Sequence, residues 1–150
     1  MTRLEKCELA ISKGIYYNEN NGDIIGVKGK VLTAKDNNGY ICFGIWKDKK
    51  TYKLYGHQFA WFCIYGKCIP MIDHKNQIKT DNRKDNLRKA TRQLNSLNRN
   101  SKGSSFDASS GKWLSQIMLK GKNKNLGRFD TEKEAMTVYN KYKTELINKL

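Results

Sequence analysis

Histidine and proline are scarce in this sequence, which has two of the former and one of the latter among 150 residues. The four cysteines, Cys7, Cys42, Cys63 and Cys68, form no Cys-x-x-Cys pair. With so few nitrogen and sulfur ligands at usable spacing, a structural zinc site is not expected, and reduced, mostly buried thiols are. No apolar stretch approaches the roughly 20 residues needed to span a bilayer. The segment Met1 to Lys13 carries Glu5 and Glu8 and lacks an apolar run, unlike a signal peptide. These absences lead to the expectation of a cytosolic protein with no membrane partner. Acid is in short supply too: 14 Asp and Glu stand against 29 Lys and Arg, a formal net charge of +15.

Self-repulsion of that size opposes folding, and a polyanionic partner is the simplest reason to keep it. A lysine-rich host composition would raise the charge without any such partner. The basic residues are interleaved with Trp, Tyr and Asn, whereas a membrane-surface helix would set a block of Lys against a clean apolar face. Nucleic acid is therefore the favoured partner. Hydrophobic residues at 38% and aromatics at 11% allow a real but modest core, enough for one ordinary domain or two very small ones.

Three stretches differ in character. From about Gly14 to Leu54 the pattern is one of short strands, Ile15 to Tyr17, Asp23 to Ile25, Lys30 to Thr33 and Tyr40 to Trp46, separated by Asn- and Gly-rich turns. Asn38-Gly39 is a hairpin signal, and Tyr52 to Tyr55 reads as the next strand of a small antiparallel sheet. His57 to Tyr65 is apolar nearly all round and stops at Gly66, as a buried helix does. Pro70 lies in a connection, Asp73 to Asp85 is a polar loop, and a second helical stretch is expected near Asp85 to Arg88. After a polar, basic linker from Asn98 to Ser105, three short strands and a helix follow. Lys112 to Leu119 alternates, Gly121 permits a turn, and Thr131 with Glu134 forms a capping box that opens a helix to about Leu146.

The chemistry concentrates between Ile72 and Asn95. Hydrolysis of a phosphodiester needs an activated nucleophile and neutralisation of charge on the phosphate and the leaving oxygen. Adjacent Asp73 and His74 can divide that labour, the acid holding a divalent cation and the imidazole taking a proton from water. A second oxygen ligand must come from elsewhere, and a helix bearing Asn95 can return one. Oxygen ligands suit Mg²⁺ or Mn²⁺ rather than Zn²⁺. Either residue of an Asp-His pair also occurs as an ordinary surface hydrogen-bonding group. His57, at a helix start, can cap that helix or touch a phosphate, and the structural role is favoured. Arg83, Arg88 and Arg92 stand where they can grip a nucleic-acid backbone.

In order, the segment offers a helix beginning with His57, then Asp73-His74, Lys79-Thr80-Asp81-Asn82-Arg83 and Asn86-Leu87-Arg88, and finally Asn95. From Gly56 to Asn100 it resembles the HNH endonuclease module of phage and intron-encoded enzymes. That resemblance implies a ββα-metal fold with Asp73 as metal ligand and His74 as general base. It implies that Asn86, 13 residues beyond Asp73, braces the loop and helps orient the histidine. Asn95, 22 residues beyond Asp73, takes the place of the family's final His or Asn ligand, with Asn98 as the alternative if the helix register differs.

Lys102 to Phe106, Gly111-Lys112-Trp113, Leu126-Gly127-Arg128-Phe129-Asp130-Thr131 and Glu134-Ala135 resemble the AP2 DNA-binding domain, although the valine expected near its start is missing. The resemblance implies a three-stranded sheet backed by one helix, with the sheet in the major groove. Lys112, Trp113, Gln116, Lys120, Lys124 and Arg128 become candidates for facing DNA, Trp113 being equally suited to the sheet–helix core.

The expected architecture is α+β: an N-terminal antiparallel sheet and ββα-metal HNH core over residues 1–100, then an AP2-like three-stranded sheet plus helix over 103–150. The expected function is Mg²⁺- or Mn²⁺-dependent cleavage of double-stranded DNA by a monomer. A DNA-binding regulator without cleavage and a basic RNA-binding protein are the rivals.

Overall fold

The computed structural model describes residues 1–149. The chain divides into two compact units, Met1–Lys89 and Ala90–Leu150. The first opens with α1 (Arg3–Ser12), which the sequence reading left unassigned. Its signal is present: the Thr2 hydroxyl accepts the Glu5 N–H and the Glu5 carboxylate accepts the Thr2 N–H, a reciprocal cap. Cys7 and Ala10, three apart, put one face of α1 into the core with no exposure at all.

Strands β1 (Tyr16–Tyr17) and β2 (Ile24–Ile25) pair antiparallel across the expected turn. Gly22 in that turn has φ +82°, and a Cβ there would lie 2.5 Å from the Arg83 backbone nitrogen. Glycine is thus required twice over, for the turn and for its close approach to the 75–86 loop. Residues 30–41 do not form a strand pair. They cross as a loop with isolated bridges Ile25 to Val31 and Lys35 to Ile41. The Asp36 carboxylate organises the Asn38-Gly39 turn by accepting the N–H groups of Asn38 and Tyr40.

The hairpin forms one step later. β3 (Cys42–Lys47) pairs with β4 (Lys50–Tyr55), and Asp48 and Lys49 both adopt positive φ, 51° and 60°, as a two-residue hairpin turn requires. Ile45 and Leu54, each 1% exposed, face the core together with Phe59 and Ala60 of α2 (Gly56–Tyr65). Gly66 ends α2 in the left-handed conformation. β5 (Ile72–His74) then pairs antiparallel with β6 (Leu87–Lys89). The helix expected from Asp85 is only a 3₁₀ turn, Lys84–Asn86, before that strand begins. Extended backbone wins because Leu87 is 3% exposed and completes the first core from the strand.

The second unit starts with α3 (Arg92–Leu97), capped by the Thr91 hydroxyl on the Leu94 N–H. Leu97 packs with Ile117 and Tyr139, so α3 belongs to this core, and the units divide before the polar linker rather than within it. β7 (Ser104–Asp107), β8 (Lys112–Leu119) and β9 (Lys122–Phe129) form an antiparallel sheet in that order. α4 (Glu132–Lys149) lies along one face and starts at the Thr131–Glu134 box. Ser115 Oγ, fully buried, donates to the Ala135 carbonyl at 2.9 Å and ties sheet to helix.

Candidate active site

The register of the short β5–β6 ladder places Asp73 directly opposite Arg88 and His74 opposite Leu87. Directly opposed residues share a face, so the carboxylate and guanidinium meet. Arg88 Nε and Nη2 both donate to Asp73 Oδ2, at 2.8 and 2.7 Å. Asp73 is 5% exposed, and the ion pair offsets much of the cost of burying its charge. Arg88, one of the arginines expected to grip a nucleic-acid backbone, anchors the acidic side chain here.

His74 is 4% exposed. Its ring sits among Tyr40, at 5.9 Å between centroids, and His57, at 5.6 Å with the planes near perpendicular. His57 in turn contacts Tyr40 and Tyr55, at 5.1 and 5.6 Å. Burial pushes the His74 pKa down against the opposing pull of its Asn82 hydrogen bond and the Asp73 charge. The neutral form, the one able to take a proton, is favoured. Burial and the nearby His74 lower His57 further, to about 4. His57 Nδ1 is buried without a hydrogen-bond partner, and its ring forms part of the aromatic wall around His74.

The loop between the two strands is held by its own side chains. Asn76 Nδ2 donates to Asp81 at 2.7 Å, and Arg83 grips both Asp81 oxygens through Nε and Nη2 at 2.8 and 2.7 Å. The Arg83 hydrogen bonds are the main reason that the Asp81 pKa falls to about 2. Asn86 spans the loop: its Oδ1 accepts the Asn76 N–H at 3.0 Å and its Nδ2 donates to the Asp81 carbonyl at 2.7 Å. Both ends of that amide are thus committed to the backbone. A hydrogen bond to the histidine ring involves Asn82, whose Oδ1 lies 3.1 Å from His74 Nε2. Sequence reasoning passed over Asn82 as part of a polar loop. Only its place inside Asp-Asn-Arg marked it, and nothing in that pattern separates a buried Asn from an exposed one.

Asn95 lies in the middle of α3 and Asn98 caps the same helix, both in the second unit. Among the described residues no three His, Cys, Asp or Glu side chains gather as a metal cage. Asp73 is the carboxylate on the β5–β6 ladder itself, and one carboxylate completed by neutral oxygens is a donor set for a hard cation.

The six residues suspected of facing DNA separate in the second unit. Leu114 pairs across the sheet with Arg128 and Gln116 with Asn125, and with Lys112 they alternate away from Ser115 and Ile117, the residues turned to α4. Trp113 is on the helix-facing alternation, beside Phe106 at 5.4 Å and opposite Phe129. Lys124 also turns inward, donating to the Tyr142 hydroxyl at 2.7 Å. Lys120, with φ 48°, sits at the β8–β9 turn and lines a cleft of about 290 Å³ with Arg92 and Met118. Lys112 and Arg128 are exposed yet each meets an acid, Asp130 at 3.1 Å and Asp107 at 3.3 Å.

Residues 54–97, running from β4 to the end of α3 and carrying Asp73, His74, Asn82, Asn86 and Asn95, match a family model described as HNH endonuclease. The match covers under a third of the chain. A solved structure described as "DNA binding and cleavage by the HNH homing endonuclease I-HmuI" is similar, at 24% identity over 74% of this chain and 70% of that one, with a TM-score of 0.45. No curated protein matches the chain.

Proposed function

We propose that this chain is a metal-dependent DNA endonuclease of the HNH type, with His74 as general base. The observation that carries the proposal is the buried Asp73–His74 pair on the β5–β6 hairpin, each side chain fixed by a separate partner, within the segment that matches the HNH family. Two buried polar groups at adjacent positions are costly to a small core, and hydrolytic chemistry explains their retention.

In this reading His74, kept neutral by burial, takes a proton from the attacking water. Arg88 holds the Asp73 carboxylate in one position. Asp73 and Asn95, or Asn98 in its place, would hold Mg²⁺ or Mn²⁺. Such an ion, when bound, supplies charge neutralisation at the phosphate and the departing 3′-oxygen. Asn86 keeps the loop closed around the pair, acting through the backbone of Asn76 and Asp81.

The second unit is read as an AP2-like module that selects the target duplex. Its three-stranded sheet with α4 along one face supports this, with Lys112, Gln116 and Arg128 on the open face as the candidate contacts. A homing or phage-type endonuclease is the natural setting, and the net charge of +15 supports DNA as partner.

A supercoiled-plasmid assay with Mg²⁺, Mn²⁺ or chelator tests the proposal. Nicked or linear product from the wild type, absent with His74→Ala, Asp73→Ala or chelator, is the expected result. Equal duplex binding with no cutting by all three proteins would instead identify a DNA-binding regulator.

A further inference from the structure

We propose that Asn82 is the positioning residue of this site, fixing the tautomer and the aim of the His74 imidazole. Its catalytic consequence rests on the nuclease reading, whereas its geometry does not. Asn82 is 1% exposed, among the most buried side chains in the protein. Its Oδ1 is 3.1 Å from His74 Nε2, and its backbone carbonyl accepts the Tyr17 hydroxyl at 2.9 Å. Its position is therefore pinned from β1, while its amide reaches β5.

The other end of that amide is the telling feature. Asn82 Nδ2 is buried with no hydrogen-bond partner, a defect that works against stability. An apolar side chain of the same shape would fill the space without that loss. The space itself is kept open by Gly56, where a Cβ would lie 2.9 Å from Nδ2 and 3.1 Å from Ile41. A half-satisfied amide in a reserved slot fits a role in chemistry better than a role in stability.

An oxygen facing Nε2 needs a proton there, which leaves the lone pair on Nδ1. The reversed amide would present NH₂ to Nε2 and shift the proton to Nδ1, disabling that nitrogen as a base. Asn82 thus decides which ring edge accepts the proton. Asn86 cannot share the task, since both ends of its amide are held by the loop backbone.

The chain has two histidines, so its imidazole ¹⁵N spectrum is simple, and His57→Phe assigns both sets of signals. In the whole 150-residue chain at neutral pH, His74 should show the Nε2–H tautomer, and Asn82→Leu should convert it to a mixture. The same variant should lose about 10- to 100-fold in kcat on plasmid with KM within about twofold, the size expected of a partner that orients a working histidine. Its Tm should stay within a few degrees, because one orphaned polar atom is exchanged for another. If Asn82→Leu fails to fold, Tyr17→Phe loosens the same anchor with the ring retained, and a several-fold kcat loss at unchanged KM is expected. An Nδ1–H tautomer in the wild type, or unchanged spectrum and kcat in the variants, would overturn the assignment. So would losses of Tm, kcat and DNA affinity in parallel. A wild type that cuts no DNA would remove the nuclease reading alone, and the ¹⁵N spectra would still decide the role of Asn82.

Discussion

In the first unit Asp73, His74, Asn82 and Asn86 are all buried, and each is held by a specific partner. In the second, Lys112, Lys120 and Arg128 stand in water, where Lys112 meets the exposed Asp130 and Arg128 the partly exposed Asp107. The physical consequences diverge. Burial strengthens every interaction of the first set and shifts titration, whereas solvent screens the second and leaves each charge worth little for stability. The first arrangement suits a reaction centre that must be aimed, and the second suits a surface that meets a polyanion and lets go.

Five changes would sharpen or break this contrast. His74→Ala should abolish most cleavage, by about 10²- to 10⁴-fold in kcat, with duplex affinity in a gel-shift assay nearly unchanged. Comparable loss of binding would mean that the hairpin is itself a DNA contact. Arg88→Met should remove the ion pair of the buried Asp73 and lower stability by about 3 kcal/mol in urea titration. A normal stability with a reduced salt dependence of DNA binding would return Arg88 to the role of phosphate contact.

The third change is in pH. The folded His57 resists protonation down to about 4, whereas the unfolded chain takes the proton near its ordinary 6.5. Between those values the unfolded state binds more protons, so stability is full above pH 6.5 and falls as pH drops towards 4, by up to about 3 kcal/mol. Denaturant midpoints at pH 7 and 4.5 measure this, and His57→Phe should flatten the dependence. The smallest effect belongs to the open sheet. Arg128→Gln should weaken duplex binding a few-fold and reduce the salt slope by about one, with kcat at saturating DNA unchanged. Trp113→Ala should act differently from its neighbour Lys112→Gln, lowering the Tm because the ring packs on the helix side.

Much of the local structure was legible because it is written in short-range chemistry. The Thr131–Glu134 box, the Gly66 stop and the alternation of Lys112 to Leu119 each specify an element from residues a few positions apart. The same rule applied at Thr2–Glu5 would have found α1. The failures share a cause. Asn38-Gly39 carried a hairpin signal, yet the ladder formed around Asp48-Lys49, because Ile45 and Leu54 are buried to 1% exposure whereas Leu32 of the 30–41 segment is only partly buried. Asp85 to Arg88 has no strong helical period, and burial of Leu87 beside β5 drew it into a strand.

The sequence by itself determined the residue types of the candidate site, their order, and the charge that favours a nucleic-acid partner, since these depend on identity and spacing alone. Tertiary structure decided the contacts: Arg88 pairs with Asp73, Asn82 meets His74 while Asn86 braces the loop backbone, and Trp113 and Lys124 turn towards the helix. Those outcomes depend on strand register and on which polar atoms a core can satisfy, and both emerge only when segments distant in sequence pack against each other.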